Sequence, residues 1–312
     1  MRHSFIVAAA GVLLMLAGSP ARAAEPATCR AVRLSDIGWV DVSATTALTA
    51  LILKDLGYTA KISLLTVPAT YEQMKAKTLD VFLGAWMPAM ENARKPYLDD
   101  KSVEPIGPNL QGAKFTLAVP RYTYDKGLRD FADIAKFGPE LNSKIFGIEP
   151  GNDGNQHVLD LIKANRFGLG KFDLVQSSEQ AMLAQVEHDY RAKKPIVFLG
   201  WEPHPMNTRF QIAYLTGGDD TFGPNFGAGS VFTDVRAGYA AECPNVGRLL
   251  AQEKFDLAAE DAMMASIMDR GMDPARAAQV WLKANKSVLA TWLDGVTTFA
   301  GKPGLAAVEG KL

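Results

Sequence analysis

Val197-Phe198-Leu199-Gly200-Trp201-Glu202-Pro203-His204-Pro205 is the stretch on which the fold turns. An apolar run of strand character reaches a glycine, then an aromatic, then prolines that cannot extend a β-ladder. Upstream lies a near-copy, Val81-Phe82-Leu83-Gly84-Ala85-Trp86-Met87-Pro88, and Ser35-Asp36-Ile37-Gly38-Trp39-Val40-Asp41 again sets Trp beside Gly. Three of the chain's five tryptophans are therefore expected just past strand ends. In open α/β sheets, ligands bind in the crevice beyond the carboxyl ends of the strands. Indoles converging there with few charges predict a hole for a greasy cation.

The surrounding pattern supplies the sheet. Ala31 to Leu34 reads as a strand, followed by a helix from about Ser43 with Leu48, Leu51, Ile52 and Leu56 at helical spacing and Gly57 to stop it. Strand Lys61 to Val67, helix Tyr71 to Lys77 and strand Val81 to Leu83 complete a β-α-β-α-β opening, which implies a mostly parallel sheet flanked by helices. Lys114 to Val119 reads as a strand leaving this first lobe. Lys144 to Ile148 is a strand that ends in Glu149-Pro150-Gly151-Asn152-Asp153-Gly154-Asn155, with Asn152 and Asp153 placed as caps of the next helix. Strand Phe172 to Val175, helix Ser178 to Glu187, strand Ile196 to Leu199 and strand Phe210 to Leu215 follow. Gly223 to Gly229 reads as a flexible loop, and from Pro244 onward the pattern is helical. Candidate crossovers near Gln111-Gly112 and Thr216 to Asp219 give two lobes, 24–112 with 218–312, and 113–217.

The N-terminus has a basic start, an apolar run from Phe5 to Leu16 and Ala21-Arg22-Ala23, the pattern of a secretory signal peptide over 1–23 cut near Ala23. The mature chain is then expected to be exported, and nothing later resembles a membrane span. The length predicts two lobes rather than one core. A net charge of −1 without a basic run argues against nucleic acid or anionic membrane as partner. The only cysteines, Cys29 and Cys243, allow one pairing; two free thiols are the alternative. No metal and no cofactor are expected. The chain carries no nucleophile elbow, His-Glu-x-x-His, phosphate loop or dinucleotide fingerprint, so no catalytic residue is named.

A cation over an aromatic face gains roughly 0.5–1 kcal/mol when exposed and about 2 when desolvated. Three or four faces could supply about 6–8 kcal/mol before the costs of binding, enough for roughly micromolar affinity. A quaternary ammonium suits such a box because it has no N–H to leave unpaired. Trp39, Trp86 and Trp201 are the candidate walls, whereas Trp281 and Trp292 in the helical region belong to the core. Asp41 either adds charge complementarity or caps the following helix. Asn152 is a helix cap or a ligand contact. His157, His188 and His204 read as surface or structural, and Glu202 as a solvated or locally paired carboxylate.

Asp-Ile-Gly-Trp-Val-Asp (36–41), Gly-Ala-Trp-Met-Pro (84–88), Gly-Ile-Glu-Pro-Gly-Asn-Asp-Gly-Asn (147–155), Ser-Ser-Glu-Gln (177–180), Val-Phe-Leu-Gly-Trp-Glu-Pro-His-Pro-Met-Asn (197–207) and Arg-Ala-Gly-Tyr (236–239) closely resemble the periplasmic choline-binding proteins of bacterial choline importers, part of the glycine betaine/choline substrate-binding family. The resemblance implies an α/β, two-lobe type II periplasmic binding protein fold that closes on choline. It implies a monomer in the periplasm whose partners are a membrane permease and its ATPase. By the same resemblance, Trp39, Trp86 and Trp201 supply a cage, Asp41 stands near the ammonium, Asn152 serves the choline hydroxyl, and Cys29 pairs with Cys243. Where the family has Tyr, this chain has Phe115. The phenyl face keeps its quadrupole, but any hydrogen bond of a phenol is gone, which bears on selectivity among choline, acetylcholine and betaines.

Overall fold

A computed structural model describes residues 25–312. The expected signal peptide and its cleavage point lie outside these residues. Strand-helix-strand alternation builds the first half: β1 (Ala31–Asp36), α1 (Val40–Asp55), β2 (Thr59–Leu64), α2 (Val67–Lys75), β3 (Val81–Met87) and α3 (Glu91–Asp99). The long β4 (Val103–Pro120) leads to β5 (Lys144–Phe146), α4 (Asp153–Lys163), β6 (Asp173–Val175), α5 (Glu179–Arg191), β7 (Phe198–Glu202) and β8 (Ile212–Tyr214). The chain returns through β9 (Gly229–Arg236) to α6 (Pro244–Gln252), α7 (Leu257–Met268) and α8 (Pro274–Ala284). The strands make one curled sheet in the order β2-β1-β3-β9-β4-β7-β5-β6, with β8 beside β4.

Parallel pairs occupy both ends, β1 with β2 and β3, and β5 with β6 and β7. Antiparallel β4 and β9 join them. β4 pairs with β9 from Val103 to Ala113 and with β7 from Lys114 to Ala118, so it passes from one half to the other between adjacent residues. β9 sits between β3 and β4, and the sequence reading missed it. Its inward polar residues hide its strand character, and each is satisfied by a distant partner. Asn109 Nδ2 donates to Thr233 Oγ1 at 2.9 Å, Arg94 Nε donates to Asp234 Oδ2 at 2.8 Å, and Arg236 Nε donates to Asp80 Oδ1 at 2.8 Å. Downstream of β8, Phe222 packs against Phe131 and His157, with centroids 5.9 and 5.4 Å apart.

The glycines of the two near-copies do not end their strands, contrary to the sequence reading. β3 runs through Trp86 and β7 through Trp201, and both stop at a proline reached through a cis peptide bond, Met87-Pro88 and Glu202-Pro203. Gly84 answers to packing instead: a Cβ there would lie 2.5 Å from Val42 Cγ2, so its absence lets β3 press against α1. That helix begins at Val40, earlier than expected. Its interior threonines are tolerated because Thr45 Oγ1 donates to the Asp41 carbonyl at 3.0 Å, four residues back. Cys29 and Cys243 are bridged, with Cα atoms 5.6 Å apart, which decides between the pair and two free thiols. Trp281 stacks on Trp292 at 6.2 Å in the helical layer, as expected for core.

Glu253, just past α6, is fully buried, and burial pushes its carboxyl up to about 8. Its Oε2 lies 2.9 Å from Thr49 Oγ1, which is also 3.0 Å from the Thr45 carbonyl. A hydroxyl has one hydrogen, so a protonated Glu253 that donates to Thr49 satisfies both contacts. The folded pKa lies above the unfolded value of about 4.3, so the contribution of Glu253 to stability is full below pH 4 and declines as pH rises towards 8. Glu253→Gln stays neutral and can make the same donation. Its melting temperature should therefore exceed the parent's at pH 7–8 and converge with it near pH 4, as thermal scans across pH would show. A parent whose stability is flat over that range would contradict the assignment.

Candidate functional site

Four aromatic rings meet where the two halves of the sheet face each other. Phe115 on β4 stands opposite Trp201 on β7 in the antiparallel ladder, and their centroids are 6.2 Å apart at 54°. Trp86, at the end of β3, lies 6.3 Å from Phe115 at 55°. Trp39, the residue capping the start of α1, lines the same cavity, together with Ala89, Met90, Ile148, Asn152, Asp153 and Gly154. The four rings are only 4–8% exposed. The cavity is small, about 20 Å³.

Each ring is braced from behind. Trp86 Nε1 donates to Asp41 Oδ2 at 3.0 Å, and Trp39 Nε1 donates to both carboxylate oxygens of Glu149 at 3.0 and 3.1 Å. Trp201 has His204 edge-on at 5.1 Å, and Phe115 has Phe222 edge-on at 6.0 Å. Gly154 is required by close approach: a Cβ there would sit 2.4 Å from Phe115 Cζ. All four rings line the cavity, and the indole N–H groups of Trp39 and Trp86 are engaged by carboxylates. A nearby negative charge adds to the quadrupole that draws a cation to a ring face.

Asp41 is buried; desolvation first, then the negative charge of Glu179, pushes its carboxyl up to about 7, and its Oδ1 has no partner among the described residues. It stands behind Trp86, in the first turn of α1, and is not one of the lining residues. Asp153 does line the cavity. Burial pushes it up to about 6, and its Oδ2 is also without a partner among the described residues. Burial likewise raises Glu149. The sequence reading gave Asp153 only as a cap and assigned Glu149 nothing; the glycine-bearing loop 149–155 was the signal that could have marked both. Asn152 holds both of its expected roles open, since Oδ1 accepts from Gly154 N at 2.8 Å to cap α4 while the residue lines the cavity.

Glu202 pairs with Lys114. His204 is buried: Nδ1 accepts from Met206 N at 3.0 Å, which leaves Nε2 carrying a hydrogen towards Glu179 Oε1 at 3.3 Å. Among the described residues, no cluster of His, Cys, Asp or Glu is arranged to hold a metal ion. Among the described residues, no Arg, Lys or His lines the cavity.

A curled sheet in two halves around an aromatic, carboxylate-backed cavity defines a two-lobe substrate-binding protein of the type II periplasmic class. Residues 30–284 match the OpuAC family, described as the substrate binding domain of ABC-type glycine betaine transport system. The chain belongs to that family, whose members serve transporters as binding components and are not enzymes. It is 52% identical to a solved ABC-transporter choline binding protein in complex with choline, with a TM-score of 0.90, covering 92% of this chain and 99% of that one. The unliganded semi-closed form of an ABC-transporter choline binding protein matches with a TM-score of 0.84 at 51% identity, covering 91% and 99%. A glycine betaine/carnitine transport binding protein, GbuC, from Listeria monocytogenes is 32% identical over 166 residues, 53% of each chain.

Proposed function

We propose that this chain is the periplasmic, monomeric receptor of an ABC importer, and that it captures choline between its lobes for delivery to the permease. One observation carries the choice of ligand. The cavity is walled by Trp39, Trp86, Phe115 and Trp201, with Asp153 in the wall, Asp41 behind Trp86 and no basic side chain among the described residues that line it. A trimethylammonium head gains from every ring face and from the carboxylates. The carboxylate of a betaine would face Asp153 with no cation to receive it. Asn152 and Asp153 are the polar groups within reach of a hydroxyl, so they are assigned to the choline alcohol. The similarity to a protein solved with choline supports the same reading.

Two lobes are proposed to close about the crossing strands, with the second boundary moved from the 217/218 expected from sequence. The first crossing is β4 at Ala113-Lys114. The second falls nearer Ala228 than Thr216, because Phe222 stays packed on Phe131 and His157. Export by cleavage near Ala23 belongs to the same proposal.

The test is a titration by intrinsic fluorescence or calorimetry with choline, acetylcholine, glycine betaine and proline. Choline should bind more tightly than glycine betaine or proline; either binding at least as tightly would overturn the substrate assignment. The dependence on pH follows from the carboxylates, since the charge of choline is permanent. Ionised Asp41 and Asp153 attract the cation, and acidification through 7 and then 6 neutralises them. Affinity should be greatest above pH 7.5 or so and fall by about three- to tenfold towards pH 5.5. Binding near pH 6.5 should release protons, visible as a dependence of the calorimetric heat on the buffer's ionisation enthalpy. Affinity that rises on acidification would contradict the role given to these groups.

A further inference from the structure

We propose that Glu179 clasps the two halves of the molecule together through the Val40 N–H, and thereby sets how long the ligand is held. This rests on the choline-receptor reading. Glu179 opens α5 in the second half, and Val40 opens α1 in the first. They are 139 residues apart, yet Val40 N donates to Glu179 Oε2 at 3.1 Å. The other oxygen faces His204 Nε2, so the carboxylate is held on both sides.

The geometry favours a clasp over an incidental contact. Glu179 is 2% exposed, and it meets the N-terminus of a 16-residue helix, where the first N–H groups are unpaired and the macrodipole favours negative charge. Flanking contacts grip the same short loop. Gln180 Nε2 donates to the Gly38 carbonyl at 3.2 Å, and Trp39 Nε1 reaches Glu149. Residues 38, 39 and 40 of the first half are therefore each bound to the second half, and the middle one is a wall of the cavity. Glu179 is not part of that wall, so it acts through the closed arrangement and is a positioning residue. The Ser177-Ser178-Glu179-Gln180 stretch, so far without a function, becomes a capped helix start that presents two clasping side chains. Ser178 Oγ accepts from Ala181 N at 3.2 Å to fix that start.

The experiment removes each side of the bond separately. Val40→Pro deletes the donor and keeps an apolar side chain of similar size: the first helical position accepts proline, and Trp39 already has the extended backbone, φ −81 and ψ 138, that precedes one. Glu179→Ala deletes the acceptor. With choline as the probe in stopped flow, each variant should release ligand about fivefold faster or more, with association within about twofold of the parent. The double variant should be no worse than the worse single, because both remove one interaction. Dissociation rates within twofold or so of the parent, or effects that multiply in the double variant, would overturn the clasp. Val40→Pro decides the question even if Glu179→Ala fails to fold. A parent that binds no choline would overturn the receptor reading separately. The clasp would then be judged by small-angle scattering of the ligand-free protein: a larger radius of gyration in Val40→Pro supports it, and an unchanged radius refutes it.

Discussion

Trp201→Ala should weaken choline binding by about tenfold or more, while Trp292→Ala leaves affinity within about twofold of the parent. The two indoles are buried alike, at 4% and 3% exposure, so the comparison separates site from core. Trp201 lines the cavity, 6.2 Å from Phe115 across the ladder. Removing it takes away a desolvated cation–π face worth about 2 kcal/mol and admits water beside the remaining three. A loss of 1.4 kcal/mol or so already gives a factor of ten. Trp292 instead packs edge-on to Phe255 at 5.6 Å and stacks on Trp281. Its truncation should cost about 3–5 kcal/mol of stability by leaving a void in the core, and Trp292 is not one of the residues lining the cavity. Calorimetric titration beside thermal melting reads both quantities on both variants. Equal losses of affinity would mean that the rings serve the fold and not the ligand.

Replacing Cys29 and Cys243 by serine should lower stability by about 2–5 kcal/mol while leaving choline affinity almost unchanged. The bridge joins residues 214 apart, so in the chain-entropy model it withdraws about 5.4 kcal/mol of freedom from the unfolded chain. Both sulfurs are buried, Cys29 at 1% and Cys243 at 2%, so the serine hydroxyls add a desolvation cost to the lost constraint. The bridge ties the turn before β1 to the start of α6, away from the cavity wall. Urea unfolding of parent and variant, with and without reductant, measures the effect. An unchanged midpoint would show that the closed loop contributes nothing, and a large fall in affinity would show that the bridge reaches the site.

Much of this architecture is legible along the chain because its causes are local. The 3.6-residue spacing of Leu48, Ile52 and Leu56 produces α1, and Asn152 and Ser178 cap helices where a cap was needed. Prolines 88 and 203 end the strands that carry Trp86 and Trp201. The glycines of those strands misled because their purpose is non-local: Gly84 makes room for Val42, and nothing near it in sequence says so. β9 was hidden for the same kind of reason. A strand carrying Thr233, Asp234 and Arg236 inward reads as a loop until Asn109, Arg94 and Asp80 are seen to satisfy it.

The sequence by itself determined where Trp39, Trp86 and Trp201 fall relative to the turns and prolines that close their strands, because those signals obey short-range sterics and hydrogen bonding; Phe115 carried no such local mark. Only the tertiary structure decided what stands behind them. Asp41 reaches the indole of a residue 45 positions away and Glu149 one 110 positions away. Asp153, beside its helix cap in sequence, has its carboxyl pushed up to about 6 by burial. Desolvation and charge depend on distances in space, and neighbours along the chain do not set them.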